Sequence, residues 1–224
     1  MITRTTVQTS LVRWILIVAA GEIVGFAFPA VVGVSMNSSP ASAPVIVTAG
    51  FIEGIILGGA QYLAMRRDLP ELRPEVWVAL TGGAAVVAYV CGLLPSALEP
   101  LWTTWPASLQ FTALAALITA ILGSIGAAQW FELRRHIRGA GWWIVGTAVA
   151  WLLGLGVFFA IAPPLWHEGQ PVATAIAVGL IAGVGMAIAM AAVTGLTFRL
   201  LLNHDGALGR RRHGYQVRTT STGR

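Results

Sequence analysis

Six apolar runs, each long enough to cross a bilayer, dominate the chain. They fall at roughly 12–34, 45–65, 76–95, 108–131, 142–162 and 173–200. A hydrocarbon core of about 30 Å takes about 20 apolar residues in helical form. Inside it, every backbone N–H and C=O must find its partner without water, and a helix satisfies them within the segment. Composition agrees: 56% of the 224 residues are hydrophobic and 10% charged, against about 25% charged in a soluble domain. The expected fold is all-α, a six-helix integral membrane bundle over residues 1–202, followed by a basic, flexible tail at 203–224. What remains outside the membrane is too small for a core of its own.

The first run has some features of a signal peptide. Arg4 and Arg13 precede it, and "ASA" at 41–43 resembles a signal-peptidase site. The apolar stretch from Trp14 to Val34 is of membrane length, longer than the roughly 7–15 residues of a signal h-region. It reads as a retained first helix.

Charge sets the direction. The 14 basic residues are all arginine, and the formal net charge is +5. In a soluble protein such a balance would point to nucleic acid; here it follows from topology, and no nucleic-acid partner is expected. The connections "SMNSSPASAP", "PSALEPLWTTWPAS" and "PPLWHEGQP" contain no arginine, whereas "RRDLPELRPE" and "RRHIRGAG" are rich in it. With both termini cytoplasmic, every arginine falls on the cytoplasmic side, as the positive-inside rule requires. Arg66, Arg67, Arg134, Arg135 and Arg199 then anchor in the lipid headgroups, and the triplet Arg210–Arg212 faces anionic lipid. The lone Cys91 excludes an intrachain disulfide and a CxxC motif.

The chain also repeats itself. "GGAQYLAMRR" at 58–67 returns as "GAAQWFELRR" at 126–135, and more faintly as "AAVTGLTFRL" at 191–200. Arg66, Arg134 and Arg199 are 68 and 65 residues apart, as are Gln61, Gln129 and Thr194. Trp14, Trp77 and Trp143 open the odd-numbered runs at separations of 63 and 66. Thr81 and Thr147 each follow their tryptophan by four residues. These registers describe three tandem helical hairpins, roughly 12–67, 75–135 and 141–202. Two arrangements satisfy them, a closed bundle of approximate threefold symmetry and an open row of hairpins.

Small residues mark where helices meet. Gly50, Gly54 and Gly58 form a glycine zipper, Gly21–Gly25 and Gly179–Gly183 are further GxxxG steps, and Gly126 precedes Gln129 in the repeat. Small residues let helix backbones approach in lipid. Gln61, Gln129 and Thr194 beside them are expected to hydrogen-bond across helix interfaces, because an amide facing lipid has no partner.

The repeated G-x-x-Q-[YW]-x-x-[LM]-R, with a tryptophan opening the next helix, resembles a group of uncharacterised bacterial multi-pass membrane proteins carrying GxxxGxxQWxxLR segments. The likeness covers the second-to-third and fourth-to-fifth runs, and weakly the sixth, where Thr194-Gly195 replaces Gln-Trp. It implies a membrane fold in the bacterial plasma (inner) membrane. No activity is established for that group, so it carries over no catalytic residue.

Glu22 and Glu53 lie well inside their runs. Glu22 is nine residues from Arg13 and Glu53 thirteen from Arg66, or about 13 and 20 Å of helix. The equivalent repeat positions hold Ala85 and Trp151 for Glu22, and Ile121 and Met186 for Glu53. An intramembrane carboxyl is a functional hypothesis by default. Against it stands a structural role, with each acid bonded locally or at a subunit contact. No enzyme signature appears: His136, His167, His204 and His213 lie in loops or the tail, and there is no HExxH. No catalytic residue, metal site or cofactor is expected. Two readings follow. One is a non-enzymatic accessory or scaffold subunit of a larger membrane assembly, partnered by another membrane protein or by copies of itself. The other is a small proton- or cation-coupled transporter or channel using Glu22 and Glu53.

Overall fold

A computed structural model describes residues 10–35 and 42–221, with side chains for 10–33 and 43–205. Its helices are α1 (Leu11–Ser35), α2 (Ser42–Met65), α3 (Pro74–Ala97), the single turn α4 (Glu99–Trp102), α5 (Ala107–Leu133), α6 (Trp142–Leu165) and α7 (Val172–Ser221). Among the described residues there is no strand. Six of these helices are long and apolar enough to span a bilayer, the last of them over Val172–Asp205. They coincide with the six apolar runs to within a few residues. The chain is therefore an all-helical, multi-pass membrane protein. Arg210–Arg212 lie outside the residues whose side chains are described.

Helix ends follow local chemistry. Pro74 sits in the first turn of α3, where its missing N–H leaves no bond unmade. The turn into α6 uses Gly139 at φ 74° and the turn into α7 uses Gly169 at φ 79°, a left-handed backbone that glycine adopts without steric cost.

The six long helices form a closed ring. Each packs against the next in sequence, and α7 packs against α1. An open row would leave those last two apart, so the arrangement is closed. The largest buried side chains gather at the arginine-bearing end: Trp14, Trp77, Trp143, Phe198, Met65 and Leu133, with Leu69, Leu72 and Ile137 from the turns beneath. Towards the other end packing loosens. No residue of 107–124 or 86–97 is buried. The bundle is a cup, sealed at the arginine end and opening away from it.

Glycines decide which faces touch. A Cβ on Gly54 would lie 2.7 Å from Ala85 Cβ and 2.9 Å from Gly82 Cα, and one on Gly58 would lie 2.9 Å from Thr81 Cβ. This glycine-bearing face of α2 is thus pressed onto α3. Gly126 of α5 meets α6, with Ile144 Cα 2.9 Å from its missing Cβ. Gly179 departs from expectation: nothing lies within 4 Å of where its Cβ would be, and Gly183 meets only the Phe26 ring at 3.6 Å. At this level α7 meets α6 through Val178 and Ala182 instead, which pack with Ala162, Phe158 and Ile161.

Candidate functional site

The repeated polar positions build the floor of the cup. Trp143 Nε1 donates to Gln129 Oε1 at 2.8 Å. Gln129 Nε2 in turn donates to Gln61 Oε1 at 2.6 Å and to Thr81 Oγ1 at 2.9 Å. Trp14 Nε1 donates to Thr194 Oγ1 at 3.2 Å, joining the first helix to the last. The indoles stack around one another: Trp77 and Trp143 are 6.0 Å apart between centroids, Trp14 and Trp143 6.4 Å, and Trp14 lies on Phe198 at 4.9 Å. Gln61, Gln129 and Thr194 are all buried, and each has the cross-helix partner that a buried polar group in lipid needs. Two buried polar atoms of this layer, Trp77 Nε1 and Thr147 Oγ1, have no hydrogen-bond partner among the described residues.

Above this floor stand the two acids. Glu22 of α1 and Glu53 of α2 are buried to 0% and 4% exposure. Gly25 lets α1 close onto α2 beside them, because a Cβ there would sit 3.2 Å from Glu53 Cγ. The two carboxyls come within hydrogen-bonding reach of each other. Tyr89 of α3 completes the group, its Oη donating to Glu53 Oε2 at 2.5 Å. The Tyr89 ring lies in the space a side chain at Gly50 would occupy. Neither oxygen of Glu22 accepts a bond from any N–H or hydroxyl among the described residues. Its neighbour is the Glu53 carboxyl, and two carboxyls can bond one another only through a proton shared between them.

Glu53 and Tyr89 face a cavity of about 360 Å³ in the middle of the ring. All six long helices contribute to its wall: Phe26, Glu53, Tyr89, Ile121, Trp151 and Met186 are one residue from each. The positions that the repeat pairs with the acids, Ala85, Trp151, Ile121 and Met186, all line it. One level of the ring therefore carries carboxyls on the α1–α2 side and hydrocarbon or aromatic surface on the others. No arginine or histidine lines it.

A second acidic group sits at the arginine end. Glu132 of α5 is 1% exposed and receives Arg73 Nε at 3.0 Å, Arg73 Nη2 at 2.5 Å and His136 Nε2 at 3.2 Å. Arg135 adds a longer contact of 3.8 Å. This clasp ties the start of α3 to the end of α5. Its carboxylate holds the Arg73 guanidinium above its ordinary range. Arg66, Arg67 and Arg134 are exposed at the same end, and Arg199 is half-buried. Arg134 lies over the Trp130 ring at 4.5 Å.

Tyr89 and Glu132 are the residues that sequence reasoning missed. Tyr89 had a signal, as the one hydroxyl-bearing aromatic in a span of Ala, Val and Gly. Glu132 had one too, breaking the repeat at the position of Ala64 and Thr197. Comparison of the chain with known protein families, curated proteins and solved structures found no match.

Proposed function

We propose that this protein is a small proton- or cation-coupled transporter whose working centre is Glu22, Glu53 and Tyr89. The observation that carries the reading is the convergence of two buried carboxyls and a phenol on one side of a central cavity. Charge inside a bilayer is costly and marks ion or substrate routes when it faces a bundle interior. The Glu22–Glu53 pair can hold one proton or two. Tyr89 keeps Glu53 aimed at the cavity and stabilises its charged form by a short hydrogen bond. The packed tryptophan floor closes one side, so loading would occur from the open half of the cup.

The chain is read here as three tandem hairpins in the bacterial inner membrane, with both termini cytoplasmic. Arginine distribution supports that direction. The hydrogen bonds support the repeat: Trp143 bonds Gln129 on the preceding long helix, and Trp14 bonds Thr194 across the ring closure. These are the same two positions of the repeat unit.

The test is flux in liposomes. Purified protein should carry protons, or an inorganic cation driven by a pH gradient, above the leak of empty vesicles. Glu53→Gln should reduce the initial rate about tenfold or more, since it removes the charge rather than the shape. Equal rates in the parent and the Glu22→Gln/Glu53→Gln double variant would end the transporter reading. The accessory-subunit reading draws on the apolar outer faces, such as Phe111 and Phe159. A stoichiometric membrane partner that survives salt during gentle purification would favour it.

A further inference from the structure

The cavity constrains what could occupy it more closely than the acids alone do. At about 360 Å³ it falls within the roughly 300–1,000 Å³ of ordinary small-molecule pockets. Its wall is hydrocarbon and aromatic except at Glu53 and Tyr89. An inorganic cation would exchange a water shell for methyl groups and rings over most of its surface, an unfavourable trade. An anion would meet the Glu53 carboxyl, with no arginine or histidine in the wall to answer it. A ligand that is apolar over most of its surface and carries one positive charge meets neither objection. Its body replaces the lining's contacts, and its charge faces Glu53. Phe26, Tyr89 and Trp151 lie in the same wall, and aromatic faces attract cations most strongly when water is excluded.

From these features, and resting on the transporter reading above, we infer that the cavity binds an apolar monovalent organic cation, of the quaternary ammonium or phosphonium class. Glu53 is the counter-ion. Glu22 supplies the proton that leaves the pair with a single negative charge, matched to a single positive one. Its two oxygens, buried and without an N–H or hydroxyl donor, have no other assigned partner among the described residues. The titratable groups facing the ligand are Glu53 and Tyr89, with Glu22 behind them; α5, α6 and α7 present none to the cavity. A second proton on the pair cancels the charge the ligand needs. Cation and proton therefore compete, and binding weakens as the pH falls.

The experiment is equilibrium binding of radiolabelled tetraphenylphosphonium to the full chain in phosphatidylcholine nanodiscs, corrected for empty discs. Tetraphenylborate, an anion of the same shape, and neutral triphenylphosphine oxide serve as competitors. The expected result is saturable phosphonium binding that excess unlabelled cation displaces and neither comparator displaces. Glu53→Gln should weaken it by about tenfold or more. Ala88→Leu, which fills the cavity without touching an acid, should weaken it as well and keeps the test sound if the Glu53 variant does not fold. Displacement by the borate or the phosphine oxide at equal concentration would overturn the inference in favour of a merely apolar pocket. Undiminished binding in both variants would overturn it too. The two readings fail separately. Inorganic-cation or proton flux without phosphonium binding removes the substrate class and leaves the transporter. Phosphonium binding without any flux keeps the site and removes transport.

Discussion

At the scale of single residues, Trp77 and Trp143 show how one repeated position can carry different energetic weight. Both are fully buried indoles at the start of a long helix. Trp143 Nε1 has Gln129 as acceptor, whereas Trp77 Nε1 has no partner among the described residues, and Gln61 Oε1 accepts from Gln129. Trp143→Phe should therefore cost about 1–2 kcal/mol, the loss of an interhelical bond that also strands an amide oxygen. Trp77→Phe should cost clearly less. Reversible unfolding in mixed micelles would measure both, and equal losses would mean that Trp77 is bonded after all. Glu132 offers a second contrast. Arg73→Ala removes its closest cation and leaves a buried carboxylate with His136, a distant Arg135 and the backbone N–H of residue 73. Arg73 is 45% exposed, so solvent screening keeps the loss well below that of a fully buried pair. Glu132→Gln should restore part of the stability of the Arg73→Ala protein, because it removes the uncompensated charge.

At the scale of helices, glycine placement determines which faces come together. Gly50, Gly54 and Gly58 run along one face of α2, and all three meet α3. Their job here is close approach: in lipid, helices associate by contact, and a bare backbone permits the most of it. Gly50→Ala should displace the Tyr89 ring, release the bond to Glu53 and lower stability by about 1–3 kcal/mol, the range for overpacking. Gly179→Ala, with open space beyond it, should be neutral or mildly stabilising. The same unfolding assay decides it: a Gly179 variant as damaged as the Gly50 variant would mean that α7 is packed along its whole length.

At the scale of the whole molecule, the ring makes an inside and an outside that no single helix has. Large apolar side chains such as Phe111, Phe159 and Leu200 face outward, while the acids face in. The direction of the ring across the membrane is open to labelling. In a Cys91→Ala background, Ser108→Cys and Glu168→Cys should react with an impermeant maleimide on intact cells, and Glu71→Cys should react only after lysis. The reverse pattern would overturn the cytoplasmic placement of both termini.

Much of this was legible in the residues. Six apolar runs determined six membrane helices, because each must satisfy its own backbone in lipid and nothing shorter can cross. The spacing of Trp14, Trp77 and Trp143 with Gln61, Gln129 and Thr194 pointed to a repeated unit whose polar positions bond across helix interfaces. Glu22 and Glu53 were conspicuous by depth alone. Only the tertiary structure decided that α7 returns to α1, that Glu22 meets Glu53, that Tyr89 from a third helix caps them, and that all six helices leave a cavity there. Those outcomes depend on helix rotation and tilt. Rotation is set by which small residues touch which neighbours over long sequence separations, and an apolar run with little amphipathic bias does not say which of its faces turns inward.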